Sequence, residues 1–251
     1  MTHATFRRRL LGGDLLLGTM LSLPSPAVAE ILAGSGFDWL FVDGEHGPFD
    51  LHDIERTLQA VAGRTACLVR VPGQQEAPIK QALDLGADGI IVPQVNTAEQ
   101  ARNIVAFARY APQGVRGVGL ARAQGYGQQF QDYLAHANDR VSVVVQAEHV
   151  EAARNIHQIV AVEGVDAVLV GPYDLSASLG KTGQLDDPAV QEAISVITDA
   201  CTAAGMPLGI FGLDAEAVAP YRHAGYTLLV AGVDTLMIAR SAQRLLEDLR
   251  G

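Results

Sequence analysis

The sequence predicts an α/β chain folded as one closed (β/α)8 barrel, and three observations carry that prediction. The length of 251 residues is that of one such barrel. Short apolar runs alternate with longer amphipathic ones from end to end, as in a parallel sheet with crossover helices. The strand-like runs number eight, more than an open doubly wound sheet usually holds.

In chain order these runs are Leu15–Leu23, Trp39–Asp43, Cys67–Val71, Gly89–Val95, Val141–Gln146, Ala167–Gly171, Pro207–Phe211 and Thr227–Ala231. Helical periodicity covers Leu51–Val61, Ile79–Leu85, Ala98–Ala108, Val150–Val160, Pro188–Ala203 and Ser241–Leu249. Gly86, Gly164, Gly205 and Gly225 stand where helices should stop and the chain should turn. The connection from Tyr110 to Gln131 is long and rich in Gly and Gln, but no inter-domain linker interrupts the pattern. Residues 1–251 therefore read as one domain.

Apolar residues make up 49% and charged residues 18%, enough to bury a large core. A net charge of −10 argues against a nucleic-acid partner, which would want a basic face. No run approaches the ~18 apolar residues of a membrane helix. Cys67 and Cys201 lie far apart without metal-ligand spacing and read as free thiols of a reducing compartment. Arg7-Arg8-Arg9, the run Leu10 to Leu23 and Ala27-Val28-Ala29 copy the outline of an export signal. Gly12, Gly13 and Asp14 interrupt that run, and the barrel needs Leu15–Leu23 as its first strand, so the expected location is cytoplasmic.

In such a barrel the chemistry sits at the C-terminal ends of the strands. Four polar clusters follow apolar runs directly. Asp43-Gly44-Glu45-His46-Gly47 suits metal binding or proton transfer, or is a polar loop bonded to its own backbone. Arg70, inside Leu68-Val69-Arg70-Val71-Pro72, needs an anionic partner: a substrate, or an ion pair with Glu45 or Asp84. Gln146 and Glu148 are two apart and emerge on the same side of the fifth strand. Asp174, in Gly171-Pro172-Tyr173-Asp174-Leu175-Ser176, leaves the adjacent sixth strand and can converge with Glu148 on one ion. Two carboxylates with open positions suit Mg²⁺ or Mn²⁺ rather than structural zinc, although a plain surface cluster fits the sequence equally well.

Other features carry less. Gly114 to Gly119 has the wrong order for a dinucleotide fingerprint and reads as a mobile loop near the mouth. His149 follows Glu148 as a candidate ligand but reads more readily as a residue that caps or lines a helix start, and His52, His136, His157 and His223 read as surface residues of helices. Phe211 and Leu213 follow the seventh strand and are expected to face the mouth beyond the metal.

At these same residues the chain resembles the metal-dependent (class II) pyruvate aldolases of the 4-hydroxy-2-oxoheptane-1,7-dioate and 2-dehydro-3-deoxygalactarate aldolase family. The likeness runs collinearly from about Gly18 to Arg250, through Gly36-Phe37-Asp38-Trp39, Asp43-Gly44-Glu45-His46, Val69-Arg70 and Ile79-Lys80-Gln81. It continues through Arg116-Gly117-Val118-Gly119, Gln146-Ala147-Glu148, Glu163-Gly164-Val165-Asp166 and Gly171 to Ser176. The resemblance implies a TIM barrel of the phosphoenolpyruvate/pyruvate type assembled into homo-hexamers. It implies a metal (Mg²⁺, Mn²⁺ or Co²⁺) on Glu148 and Asp174, and His46 as general base with its basicity raised by Asp84. Arg70 is then the enolate-stabilising group, with Gln146 and Tyr173 holding substrate. Ala147, His149 and Tyr173 depart from the residues common in the family, which bears on substrate choice.

The reaction so implied is reversible cleavage of 4-hydroxy-2-oxoacids to pyruvate, or a relative such as hydroxypyruvate, and an aldehyde. A divalent ion chelated by the 2-oxoacid makes the C3 proton easier to remove, and Arg70 offsets the enolate charge. The lysines give a separate argument. A Schiff-base mechanism needs a desolvated lysine inside the barrel. Lys80 falls in a helical pattern and Lys181 in a loop, and the chain has no others. The alternatives are a related lyase acting on acyl-CoA esters such as malyl- or citramalyl-CoA, and a non-catalytic barrel that binds sugar acids.

Overall fold

The structure, a computed structural model, describes residues 5–251. Its strands are β1 (Leu16–Leu21), β2 (Trp39–Asp43), β3 (Ala66–Arg70), β4 (Gly89–Val92), β5 (Ser142–Ala147), β6 (Ala167–Val170), β7 (Leu208–Gly212) and β8 (Leu228–Val233). They pair in chain order, all parallel, and β8 closes on β1 through Leu228↔Leu16 and Leu229↔Leu17. The helices are α1 (Phe6–Leu11), α2 (Pro26–Ala33), α3 (Leu51–Val61), α4 (Glu76–Asp84), α5 (Ala98–Ala108) and α6 (Phe130–Arg140). They continue as α7 (Val150–Val160), α8 (Pro172–Ser178), α9 (Pro188–Ala204), α10 (Ala215–His223) and α11 (Asp234–Arg250).

Side-chain parity divides the core in two. Leu16, Met20, Trp39, Phe41, Leu68, Val144, Leu169 and Leu228 form the cluster inside the barrel. Their neighbours Leu40, Val42, Cys67, Val69, Val143, Val145, Val168 and Leu229 pack outward in the layer shared with the helices. Gly18 has a specific reason to lack a side chain: a Cβ there would come 2.5 Å from the Trp39 ring. The N-terminal helix α1 adds Phe6 and Leu10 to the inner cluster, with Phe6 stacked at 6.0 Å on Trp39. Arg7 reaches Asp166, just before β6, at 2.8 Å. The arginine-rich segment that imitates an export signal is thus packed against the N-terminal end of the barrel.

Helices α3, α5 and α7 begin and end where the sequence places them, because their caps are local. Asp50 with Asp53 and Thr97 with Gln100 form capping boxes, and His149 Nδ1 accepts from Glu151 N at 3.1 Å. Other boundaries shift for identifiable reasons. The first strand ends at Leu21 rather than Leu23, because Ser22 N and Leu23 N donate to the Asp234 carboxylate (3.0 and 2.8 Å). The fourth ends at Val92 rather than Val95, because Pro93 has no donor and Gln94 takes a positive φ of 56°. Helix α4 starts at Glu76, three residues early, with Pro78 in its first turn where a missing N–H costs little. Helix α11 starts at Asp234 rather than Ser241.

The segment after α5 is a correction. Val115 to Gly119 does not line the mouth: Arg116 is buried, its Nη2 lies 2.6 Å from Asp84 Oδ1, and its guanidinium stacks on Tyr110 at 4.5 Å. Asp84 ends α4, which leads into the start of β4, so this cluster belongs to the opposite end of the barrel from the active face. Cys67 and Cys201 are free and buried, and burial pushes the Cys201 thiol up to about 12. Among the described residues no helix is long and apolar enough to cross a membrane.

Candidate active site

Parity also builds the site. Continuing each inward row past its last apolar residue gives Asp43 after Phe41, Arg70 after Leu68, Gln146 and Glu148 after Val144, and Gly171 after Leu169. A cavity of ≈ 210 Å³ opens there. Of the residues expected from sequence, His46, Arg70, Gln146, Tyr173 and Asp174 line it. Glu148 stands behind Gln146, whose Nε2 donates to Glu148 Oε2. Asp84 is absent, held at the other end of the barrel by Arg116.

Arg70 is fixed on both sides. Its Nε and Nη2 meet Asp43 Oδ1 at 2.9 and 2.8 Å, its Nη1 lies 3.2 Å from Glu45 Oε2, and its guanidinium carbon sits 5.0 Å over the Phe41 ring. Asp43 Oδ1 also accepts from the backbone N–H groups of Glu45 and His46, both at 3.2 Å, which shapes the loop after β2. Burial pushes the Asp43 carboxyl up, but the Arg70 guanidinium and these donors more than offset it and leave it below the usual range. Of the two internal partners that sequence allows for Arg70, Glu45 is present and Asp84 is not. The main partner, Asp43, was visible in sequence only as part of the polar cluster; its place opposite Arg70 in the β2–β3 register is the signal that finds it.

The His46 imidazole is 67% exposed, with Nε2 3.7 Å from Glu45 Oε2. It stands free toward the cavity rather than packed. Glu148 is buried, and its Oε1 accepts from Gln94 N at 2.8 Å, so the turned backbone after β4 exists to serve this carboxylate. Burial, joined by the charges of Asp174 and Glu45, pushes the Glu148 carboxyl up to about 7. Burial likewise raises the Glu45 carboxyl. Gly171 leaves room for this arrangement: a Cβ there would lie 2.7 Å from Glu148 Oε2. Asp174 sits exposed in the first turn of α8, a helix that the Gly171-Pro172 start concealed in the sequence. Tyr173 turns its side chain outward, while its carbonyl accepts from Ser176 Oγ at 2.6 Å.

Among the described residues no three His, Cys, Asp or Glu side chains form a ready metal cluster. The donor chemistry nonetheless fits a hard divalent ion. Glu148 and Asp174 repel one another, and Gln146 Oε1 is buried with no hydrogen-bond partner. A cation beside them would offset the repulsion and complete an all-oxygen donor set together with substrate.

The chain matches the HpcH/HpaI aldolase/citrate lyase family over residues 17–241. It is 45% identical over 244 residues to a hydroxypyruvate/pyruvate aldolase of Deinococcus radiodurans, covering 96% of this chain and 88% of that one. It is 41% identical over 240 residues to a 4-hydroxy-2-oxovalerate aldolase of Novosphingobium aromaticivorans, covering 95% and 91%. The crystal structure of an HpcH/HpaI aldolase/citrate lyase family protein from Burkholderia cenocepacia J2315 superposes with a TM-score of 0.94 at 37% identity, covering 98% of each chain. A β2 mouth carrying Asp43 to His46, a clamped Arg70 and the Glu148 carboxylate stand on a barrel shared with these proteins, and the chain belongs to the HpcH/HpaI aldolase/citrate lyase family.

Proposed function

We propose that the protein is a carbon–carbon lyase that reversibly cleaves 4-hydroxy-2-oxoacids to pyruvate, or a close relative such as hydroxypyruvate, and an aldehyde. The observation that carries this reading is the Arg70 guanidinium, buried and held by Asp43 and Glu45, facing the same cavity as His46 and Asp174. Folding alone does not require charge at this depth.

Glu148 and Asp174 would hold a divalent ion, and that ion when bound would supply Lewis-acid polarisation of the 2-oxo group. The protein's own residues do the rest. In the cleavage direction His46 takes the C4 hydroxyl proton, the C3–C4 bond breaks, and its electron pair passes into the enolate of the 2-oxoacid as the aldehyde forms. Arg70 is held at the cavity wall by Asp43 and Glu45, so the guanidinium hydrogens they leave free offset the new oxyanion charge without reorganising. His46, exposed on the Asp43-shaped loop, returns a proton to C3, and in the addition direction removes it. Gln146 and the backbone at Tyr173 orient the 2-oxoacid.

The cavity next to the mouth also bears on the rival readings. It is lined by Asp186 and Asp214 and by no Lys or Arg, which does not suit the phosphates of an acyl-CoA ester. Assembly is part of the proposal. The apolar face of α11, with Ile238, Leu245, Leu246 and Leu249, is exposed, and so is Leu17 on the outer side of β1. In a closed barrel the last helix ordinarily covers that seam. A second copy would cover both surfaces, in the hexamer that the resemblance implies. It would also be the source of any Asp84 carboxylate reaching His46, since within one chain the two lie at opposite ends. The test is C3 proton exchange of pyruvate followed by NMR with Mg²⁺: exchange is expected, and its absence with Mg²⁺, Mn²⁺ and Co²⁺ alike would overturn the reading.

A further inference from the structure

The site cavity has a larger neighbour. A groove of ≈ 670 Å³ runs between α9 and α10, and the two cavities share Pro172, Tyr173 and Phe211 as their common wall. Phe211 continues the inward row of β7, half buried, and Tyr173 is 46% exposed. The Tyr173 hydroxyl has no hydrogen bond among the described residues, so only its backbone, bonded to Ser176, fixes this side of the wall.

The chemistry of the groove is settled by what its polar groups already do. Gln191 Nε2 donates to Leu185 O at 2.8 Å, and Thr198 Oγ1 is bonded to Ile194 O (2.7 Å) and the Tyr226 hydroxyl (2.8 Å). Ser195 Oγ faces Asp199 at 3.4 Å. With these groups engaged, the surface left for a ligand is the Tyr221 ring, the aliphatic side chains of Leu185, Ile194 and Leu213, and two carboxylates. Asp214 caps α10 and lies 3.7 Å from Arg240, whereas Asp186 forms no ion pair among the described residues. A second carboxylate brought here would meet Asp186, while Arg240 at the rim is already engaged by Asp214 and the Leu213 carbonyl (3.5 Å).

We propose that this groove holds the aldehyde-derived end of the substrate, and that it selects an uncharged apolar aldehyde, aliphatic or aromatic, over one that ends in a carboxylate. The proposal rests on the aldolase reading above. It assigns the acceptor preference to residues of α9, α10 and the segment before α9, outside the groups that handle the 2-oxoacid.

The experiment measures kcat/KM for addition of pyruvate to acetaldehyde, hexanal, benzaldehyde and 4-oxobutanoate in the Mn²⁺-loaded protein, beside C3 proton exchange of pyruvate alone. The wild type should favour hexanal and benzaldehyde over 4-oxobutanoate. Ala217→Trp, at an exposed groove position, should lower the hexanal-to-acetaldehyde ratio at least ~10-fold, the scale of losing one or more buried methylenes. Asp186→Lys should raise the 4-oxobutanoate-to-hexanal ratio by a similar factor. Exchange and acetaldehyde addition with both ratios unmoved would overturn the groove assignment and leave the aldolase reading standing. No exchange in the wild type would overturn both.

Discussion

Asp43 and Arg70 are Cα partners across the β2–β3 ladder, and their side chains meet inside the barrel with Arg70 Nη2 2.8 Å from Asp43 Oδ1. The pairing is thus a property of sheet register, set before any ligand arrives. Asp43→Ala should leave a buried guanidinium short of its main partner and cost about 3–5 kcal/mol, read as a lower urea midpoint. Arg70→Lys should fold and bind Mn²⁺ as the wild type does, yet lose cleavage rate by roughly 10²-fold, because an ammonium cannot reproduce the planar fork. A wild-type rate in Arg70→Lys would remove Arg70 from the chemistry.

His46→Ala should slow C3 proton exchange by about 10²–10⁴-fold, the scale of general-base loss, with Mn²⁺ affinity little changed. Glu45 Oε2 is the carboxylate oxygen beside the imidazole, so Glu45→Gln is expected to shift the pH profile of exchange rather than abolish it. Exchange at the wild-type rate in His46→Ala places the base elsewhere.

Metal binding should depend on pH through Glu148. Its carboxyl titrates at about 7, well above the ordinary 4.5, chiefly because of burial. Without metal, the raised value makes ionised Glu148 a cost to the fold that grows as pH rises from the unfolded value through about 7. A cation offsets that cost only where the group is ionised. Mn²⁺ should therefore raise the Tm more at pH 8 than at pH 6, and Glu148→Gln should lose most of that difference while keeping the fold. EDTA should abolish activity. Borohydride with pyruvate should leave the protein unmodified, since Lys80 pairs with Glu76 and Lys181 with Asp187, both outside the barrel.

If α11 is an assembly helix, Leu245→Asp together with Leu249→Asp should lower the mass seen by light scattering while far-ultraviolet dichroism of the barrel persists. An unchanged mass would separate the exposed apolar face from oligomerisation.

What the sequence disclosed and what it hid divide along the range of the interactions. All eight strands were legible, because inward and outward apolar rows repeat locally, and α3, α5 and α7 were legible to the residue because their caps lie within three positions. Helix α10 escaped notice because Pro220 breaks its pattern, and α8 because it opens on Gly171-Pro172. Strand ends were misjudged where a distant carboxylate takes over the backbone, as Asp234 does for Ser22 and Leu23 and Glu148 does for Gln94. At the site, strand parity put Arg70, Gln146 and Glu148 at one mouth. The Arg116–Asp84 pair was hidden, since only the folded chain shows that an arginine beyond α5 clamps the end of α4.

The docking of α1 has a consequence for how the chain is made. Phe6, Arg7 and Leu10 are synthesised before the partner of Arg7, which lies 159 residues later at Asp166. Helix α1 can seat its Arg7 only after Asp166 is in place, and the ring can close only when β8 meets β1. So long-range a set of contacts predicts slow folding, with the apolar face of α1 exposed while the later strands are still being added. Weakening the Arg7–Asp166 clasp, by Arg7→Ala, should therefore lengthen the life of an open, aggregation-prone intermediate more than it alters the finished enzyme.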